Sequence, residues 1–234
     1  MQNKSQDLSN SRYTGLNQSF LMDHRRINIE ASTRCNLLCP GCSRTKEMEQ
    51  GKGLAGGIGD LDIEIFKLLV RPENKLNTIT YNMALSDPIY SGTLFEQLRY
   101  LNTLDNRPVI NMSTNGSGRS EKWWKEFASL LQPTDIIEFA IDGLEDTNHI
   151  YRVNAKWDTI IMAVNTLRNN FPGKIGWRYI IFEHNYSQVA EANILSIELG
   201  CNWFKPMIGD SRTPLYMQLK SKTWEELFND LPKM

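Results

Sequence analysis

Short apolar runs alternate with longer amphipathic runs along most of the chain. The short runs are rich in Ile, Val, Phe and Tyr, a composition typical of β-strands. They predict six strands, at residues 26–31, 78–84, 109–113, 136–141, 177–182 and 203–207. Between the strands, apolar residues recur at helical spacing and predict five helices, at residues 60–70, 93–104, 120–131, 157–170 and 187–199.

Several of the predicted helices carry recognisable ends. Asp60 precedes the apolar positions Ile65 and Leu68, so we expect it to cap the first helix. Ser120 is expected to cap the third helix in the same way. Gly200 follows the fifth helix, where a glycine commonly ends the helical conformation.

The alternation of strands and helices with short loops is typical of parallel sheets. Six strands are too few for a complete eight-stranded barrel but enough for an open part of one. The sequence therefore predicts an α/β fold, a six-stranded partial (β/α)6 barrel like part of a TIM barrel, with parallel strands. In such folds the functional residues lie at the C-terminal ends of the strands.

Three segments follow from the composition along the chain. Residues 1–20 are polar and are expected to form a flexible leader, residues 21–208 the partial barrel, and residues 209–234 an extension with a short helix near 223–229. Residues 50–60 contain five glycines but lack the Gly-Lys-Ser/Thr ending of a phosphate-binding loop. A mobile loop is the expectation there.

Charge and hydropathy limit the function classes. The formal net charge of the 234 residues is -1, which favours neither a nucleic acid nor an anionic membrane as a partner. No apolar run approaches the roughly 18–20 residues that a membrane span needs. The first residues lack the apolar core of a secretory signal, so a cytoplasmic location is expected.

The distribution of the four cysteines points to a metal site. Cys35, Cys39 and Cys42 lie within eight residues, whereas Cys201 is far away in the sequence. Such crowding favours a metal site in a reducing compartment over a disulfide framework. Three thiolates in one loop can bind three irons of a cubane cluster and leave the fourth iron without a protein ligand.

Three alternatives remain open at this point. A structural zinc site would need a fourth ligand, either Cys201 or one of the histidines His24, His149 and His184. A fully ligated electron-transfer cluster would use Cys201. The cysteines could also be buried or redox-active residues without a shared metal.

The spacing Cys-x3-Cys-x2-Cys directly after the first predicted strand resembles the signature of the radical S-adenosylmethionine (SAM) superfamily. Further segments are similar to that family in the same order along the chain. Residues 85–88 read Leu-Ser-Asp-Pro where family members have Gly-Gly-Glu-Pro, and residues 113–116 read Ser-Thr-Asn-Gly around a family Thr-Asn-Gly turn. Residues 140–143 read Ala-Ile-Asp-Gly where the family often has Ser-Ile-Asp-Gly, followed by Arg152.

The chain also departs from the family pattern. Gly41 stands where the family often has an aromatic residue near the adenine of SAM. The glutamate of Gly-Gly-Glu-Pro is shortened to Asp87, and Ala140 replaces a serine that often contacts SAM. These changes affect the SAM-contacting positions and leave the three cysteines intact.

The resemblance implies a 4Fe–4S cluster held by Cys35, Cys39 and Cys42. SAM would chelate the open iron, and one electron would cleave it to methionine and a 5′-deoxyadenosyl radical that abstracts hydrogen from a substrate. The implied partner is a reductant such as flavodoxin or ferredoxin. A non-catalytic iron–sulfur or zinc module would instead saturate its metal, so the fourth ligand separates the two classes.

The resemblance also implies cofactor-binding residues. Asp87 would accept hydrogen bonds from the SAM ammonium group, and Ser113 and Arg152 match positions that contact SAM in relatives. Asn115 and Asp142 lie in the two matching segments. The structural alternatives are a turn for Asp87 and Asn115, a barrel-lining hydroxyl for Ser113 and a surface ion pair for Arg152.

The substrate class is less constrained than the cofactor. The motif spellings are similar to the peptide-modifying branch, which favours a peptide or protein substrate. The compact chain is also similar to enzymes that act on nucleotide-like small molecules. Polar residues in or beside the strands are the expected substrate-binding groups: Asn82, Arg178, Glu183, His184 and Lys205.

Overall fold

The computed structural model describes residues 25–54, 57–81, 84–209, 214, 217 and 218. The predicted leader at 1–20, the predicted helix near 223–229 and Asn82 lie outside these residues, so those expectations stay predictions.

The fold is built on one parallel six-stranded sheet whose strands follow one another in chain order. The strands are β1 (Arg26–Ile29), β2 (Thr78–Tyr81), β3 (Val109–Thr114), β4 (Ile136–Ala140), β5 (Lys174–Ile181) and β6 (Trp203–Ile208). This arrangement confirms the predicted α/β partial barrel. β5 begins three residues earlier than predicted, at Lys174, and includes Gly176, a residue type with low β-strand propensity.

Helices connect the strands in the described part of the chain. They are α1 (Ser43–Glu49), α2 (Ile63–Leu69), α3 (Leu94–Leu101), α4 (Glu121–Leu130), α5 (Asn148–Tyr151), α6 (Trp157–Asn170) and α7 (Val189–Glu198). Short 3₁₀ turns add Pro72–Asn74, Pro88–Tyr90 and Tyr186–Gln188. The sequence pattern did not predict α1 or α5, because each has two turns or fewer and shows little periodicity.

Burial alternates along the central strands, most regularly in β2 and β3. The outer face of the sheet packs on the helices and is apolar; its buried residues include Ile79, Met112, Phe139, Trp177 and Tyr179. The inner face carries the intervening residues, and several of these are polar and partly exposed: Thr80, Asn111, Ser113, Glu138 and Arg178. Because successive side chains point to opposite faces, the same strands supply both the core and an open polar surface.

The start of α2 differs from the prediction. Asp62, not Asp60, caps this helix, and its carboxylate accepts hydrogen bonds from the backbone N–H groups of Glu64 and Ile65. The buried residue of this helix is Phe66, whereas Ile65 and Leu68 are 39% and 58% exposed. Asp60 instead forms an ion pair with Arg34.

The two other predicted helix ends are confirmed. The Ser120 hydroxyl accepts a hydrogen bond from the backbone N–H of Trp123 and caps α4. Gly200 follows α7 with a φ of 75°, the left-handed conformation that glycine adopts without steric cost.

The C-terminal part of the glycine-rich loop, residues 57–60, is hydrogen-bonded to the segment that follows β1. Thr33 donates its N–H to the carbonyl of Gly59 at 2.9 Å, and its hydroxyl accepts from the N–H of Gly59 at 2.9 Å. Ser32 and Asp60 form an antiparallel bridge beside them. The loop therefore returns to the strand end that leads into the cysteines. No helix in the described ranges is both long enough and apolar enough to cross a membrane.

Candidate functional site

A cavity of about 520 Å³ opens at the C-terminal ends of the strands. That volume is in the range of pockets for small molecules and cofactors. Its lining combines the cysteine loop and the start of α1 with residues of β3, β5 and β6 and of the segments that follow β2, β3, β4 and β6: Cys35, Leu37, Cys39, Gly41, Cys42, Ser43, Arg44, Ala84, Ser86, Ser113, Asn115, Tyr151, Arg152, Arg178, Ile180, Met207, Ile208 and Gly209.

Backbone hydrogen bonds fix the cysteine loop in its middle and at its C-terminal end. The backbone N–H of Leu38 donates to the carbonyl of Val153 at 3.1 Å, which joins the loop to the segment after α5. The N–H of Cys42 donates to the carbonyl of Cys39 at 3.0 Å and turns the chain into α1. These bonds bring all three cysteines to one wall of the cavity.

Hydrogen-bond donors lie near the sulfur atoms of Cys35 and Cys39. The backbone N–H of Leu37 lies 3.4 Å from Cys35 Sγ, and Asn115 Nδ2 lies 3.7 Å from the same sulfur. Arg152 Nη1 lies 3.9 Å from Cys39 Sγ. Donors of this kind stabilise the negative charge that a thiolate carries when it binds a metal.

Burial makes the thiolates costly when no metal is bound. It raises the pKa of Cys35 to about 12, with a further contribution from the negative charge of Asp87. Burial also raises the pKa of Cys39, although the nearby Arg152 opposes the shift. Metal binding would therefore displace protons from these thiols and would stabilise the loop.

The chemistry of the donor set fits an iron–sulfur cluster. Three free cysteines line one cavity, and each thiolate can bind a different iron of a cubane. No three His, Cys, Asp or Glu side chains in the described ranges converge closely enough to hold one metal ion.

Cys201 lies away from this site. It precedes β6, whereas Met207 and Ile208, which line the cavity, end that strand. A rise of about 3.3 Å per residue separates the two ends of β6 by roughly 17 Å. Cys201 packs against the main core instead. The structure thus offers no fourth cysteine ligand among the described residues.

Arg152 and Asp142 form a buried ion pair beside the cysteines. Arg152 Nε donates to Asp142 Oδ2 at 2.6 Å, and both residues are buried. The other Asp142 oxygen accepts from the backbone N–H of Ile180 at 2.7 Å. Asp142 does not line the cavity; it fixes the guanidinium of Arg152, which does. The surface ion pair that sequence reasoning left open for Arg152 is therefore wrong.

Asp87 is fully buried and lies behind the cavity wall. Its carboxylate accepts hydrogen bonds from the Thr114 hydroxyl at 2.9 Å and from the backbone N–H groups of Asn115 at 2.6 Å and Ile89 at 3.2 Å. Burial nevertheless raises the pKa of Asp87 to about 6. These partners join the second-strand loop to the third-strand loop. A direct bond from Asp87 to the SAM ammonium stays a prediction.

Ser113 and Asn115 both line the cavity, as does Arg152. Asn115 Nδ2 also donates to Asn36 Oδ1 at 3.1 Å, which ties the third-strand turn to the cysteine loop. The structure therefore brings three of the five predicted cofactor-binding residues to the cavity. It places the two carboxylates, Asp87 and Asp142, behind them.

Sequence reasoning missed Arg44, which lines the cavity just after the third cysteine. Its Nε donates to the carbonyl of Thr33 at 3.1 Å, across the base of the cysteine loop. Its Nη1 is buried and has no hydrogen-bond partner among the described residues. Its position two residues after Cys42 was the only sequence signal.

Sequence reasoning also missed Glu30, which shapes the cavity edge from the end of β1. Its carboxylate accepts from the Ser86 hydroxyl at 2.8 Å and from the backbone N–H of Ala84 at 3.0 Å. Burial raises the pKa of Glu30. Glu30 thus fixes the loop after β2, whose residues Ala84 and Ser86 reach the cavity.

The predicted substrate-binding residues separate into two groups. Arg178 lines the cavity, and Lys205 is its neighbour on β6. Glu183 and His184 follow β5; the His184 ring stacks on Phe182, with centroids 5.3 Å apart, and does not line the cavity.

Comparisons with known proteins show where this fold occurs. No family model and no curated sequence matches the chain. The fold is similar to native anSMEcpe with bound AdoMet, which is SAM (TM-score 0.62, 16% identity, 87% of this chain and 59% of that one). It is also similar to TYW1 with a lysine-pyruvate adduct bound (0.60, 12%, 84% and 69%) and to Streptococcus suis SuiB bound to S-adenosylmethionine (0.59, 14%, 87% and 43%).

These likenesses confirm the fold that the resemblance to the radical SAM superfamily implied. At such low identity they show the fold alone. The chain spans about three fifths of anSMEcpe and about two fifths of SuiB. The likenesses therefore do not establish the activity, the substrate or the partners of this chain.

Proposed function

We propose that this chain is a radical SAM enzyme. The observation that carries the proposal is the cavity itself: three free cysteines with the radical SAM spacing line it, and its described lining also contains three arginines and no carboxylate. The fold shared with two SAM-bound proteins supports the same function. A bound 4Fe–4S cluster would supply the electron that cleaves SAM to methionine and a 5′-deoxyadenosyl radical.

The residues of the chain have distinct roles in this proposal. Cys35, Cys39 and Cys42 would ligate three irons and leave the fourth open. The N–H of Leu37 and the amide of Asn115 donate toward Cys35 and stabilise its thiolate. These contacts also hold the cysteine loop in one conformation, so the loop needs to move little when the cluster binds.

Two arginines provide positive charge at the cavity wall. Asp142 orients Arg152, so that its Nη1 faces Cys39. Arg44 has a buried Nη1 without a partner in the described ranges, and a buried donor of this kind is stabilised by an acidic acceptor. We assign Arg44 to the carboxylate of SAM, because that group would supply such an acceptor within the same cavity.

The proposed substrate is a peptide or protein. The proposed electron donor is a reductant such as flavodoxin or ferredoxin. The open inner face of the sheet supports a chain-like substrate. An anSMEcpe structure with bound AdoMet and a Cp18Cys peptide has the same fold, at a TM-score of 0.60 and 16% identity.

The test is SAM cleavage by anaerobic protein loaded with iron and sulfide and then reduced. We expect 5′-deoxyadenosine and methionine in equal amounts, and about four irons per chain. Cys39→Ala should lose both the cluster and the cleavage activity, because one of three iron ligands is gone. Cys201→Ala is the matched control and should retain both. Full turnover by Cys39→Ala would contradict the proposal, and loss of the cluster in Cys201→Ala would favour the fully ligated electron-transfer site.

A further inference from the structure

Two cations lie side by side on the inner face of the last two strands. Arg178 on β5 and Lys205 on β6 are direct partners in the parallel register. Paired residues of parallel strands project from the same face, and neighbouring strands are about 4.8 Å apart. The Arg178 side chain is 29% exposed and Lys205 is exposed, so both are accessible from the open side of the barrel.

The positive charge of this pair is only half compensated. Arg178 Nη1 lies 3.3 Å from Glu138 Oε1. Within the described ranges, no carboxylate forms an ion pair with Lys205. Like charges on directly opposed strand positions destabilise a sheet. Such a local conflict is typical of a position that serves a ligand.

The pair reaches the candidate cofactor cavity: Arg178 lines it, and Lys205 lies beside Arg178. Ile180 is two residues beyond Arg178 on β5, and Met207 is two residues beyond Lys205 on β6; both line the cavity. Two residues of strand span about 6.6 Å. A ligand held by the two cations would therefore extend past an apolar rim toward the cysteines.

We propose that Arg178 and Lys205 bind an anionic group of the substrate, a carboxylate or a phosphate. The planar guanidinium can bind two oxygens at once, and the ammonium adds a second charge to the same group. Glu138 orients Arg178 before the ligand arrives. The inference rests on the proposed function, since it names the chemistry of the substrate that the radical would attack.

Isothermal titration calorimetry of the full cluster-loaded chain tests the pair, with and without SAM. The titrants are glutarate, which carries carboxylates, and inorganic phosphate. We expect saturable binding of at least one of them. Arg178→Gln and Lys205→Gln should each weaken it about fivefold, the effect of removing one exposed ionic contact. Lys174→Gln is the matched control, because Lys174 is an exposed lysine at the opposite end of β5, and it should leave the affinity unchanged.

The titrants separate the two sources of negative charge. Tighter binding of glutarate supports a substrate carboxylate, and tighter binding of phosphate supports a phosphorylated substrate. Absence of saturable binding, or an equal loss in Lys174→Gln, would overturn the inference. The heat of binding needs no turnover. Failed SAM cleavage with intact anion binding would therefore refute the proposed function alone, whereas intact cleavage without anion binding would refute only this inference.

Discussion

The two faces of the sheet differ in burial and polarity, although their residues alternate along the same strands. On the outer face, Phe139, Trp177 and Tyr179 are fully buried in one apolar core. On the inner face, Asn111 and Arg178 are polar and partly exposed. The residues that stabilise the fold and those available for chemistry are therefore separated by a single position, and substitutions at neighbouring residues should have different consequences.

The largest expected effect is on the outer face. Trp177 is fully buried, and its indole N–H donates to the carbonyl of Ile141 at 2.8 Å. Trp177→Ala should lower the free energy of unfolding by about 3–5 kcal/mol, because it leaves a cavity and an unpaired carbonyl. Urea denaturation measures this loss. Arg178→Ala, at the next residue, is the control; an equal loss there would contradict the division between the faces.

A smaller effect is expected at Asp87, which joins two loops behind the cavity. Burial raises the pKa of this carboxyl from 3.8 to about 6, so the folded state binds its proton more readily than the unfolded state. Its contribution to stability should therefore grow as the pH falls from 7 toward 4 and be lost as the pH rises through 6. Asp87→Asn lacks this titration.

The comparison that isolates Asp87 is the unfolding free energy of the wild type minus that of Asp87→Asn, measured from pH 7 to pH 4.5. This difference should increase as the pH falls, even though other groups change both proteins. A difference that stays constant over the whole range would show that the environment of Asp87 does not favour its protonated form.

The smallest effect is expected on the inner face away from the cysteines. Asn111 is half-buried on β3 and faces the barrel interior. Asn111→Ala should change the free energy of unfolding by no more than about 0.5 kcal/mol, since it removes no core contact. Thermal unfolding of the two proteins checks this, and a loss comparable to that of Trp177→Ala would show that the inner face also carries the fold.

The sequence pattern predicted the sheet well because its signal comes from the outer face. Alternating burial along β3 and β5 follows directly from the residue types, and Ser120 and Gly200 mark their helix ends by local chemistry. The predicted start of α2 was wrong because Asp60 and Asp62 are both acceptable N-cap residues. Contacts between distant segments distinguish them: Asp60 pairs with Arg34 and forms a bridge with Ser32.

The part of the candidate site that has a local sequence signal was also predictable. The cysteines and Arg152 lie in recognisable segments, whereas the positions of the two carboxylates depend on long-range contacts. Asp87 is held by the third-strand loop and Asp142 by the backbone of β5, and no local pattern reports either contact. Arg44 was missed because its partner carbonyl, at Thr33, lies before the cysteines.

An iron left open to SAM distinguishes a radical SAM enzyme from a saturated iron–sulfur or zinc module. The most direct measurement is the electron paramagnetic resonance spectrum of the reduced, cluster-loaded protein, recorded before and after SAM is added. In the proposed function the three cavity cysteines hold three irons and leave the fourth open, so SAM should coordinate that iron and change the spectrum. A cluster spectrum that is identical with and without SAM would contradict the account.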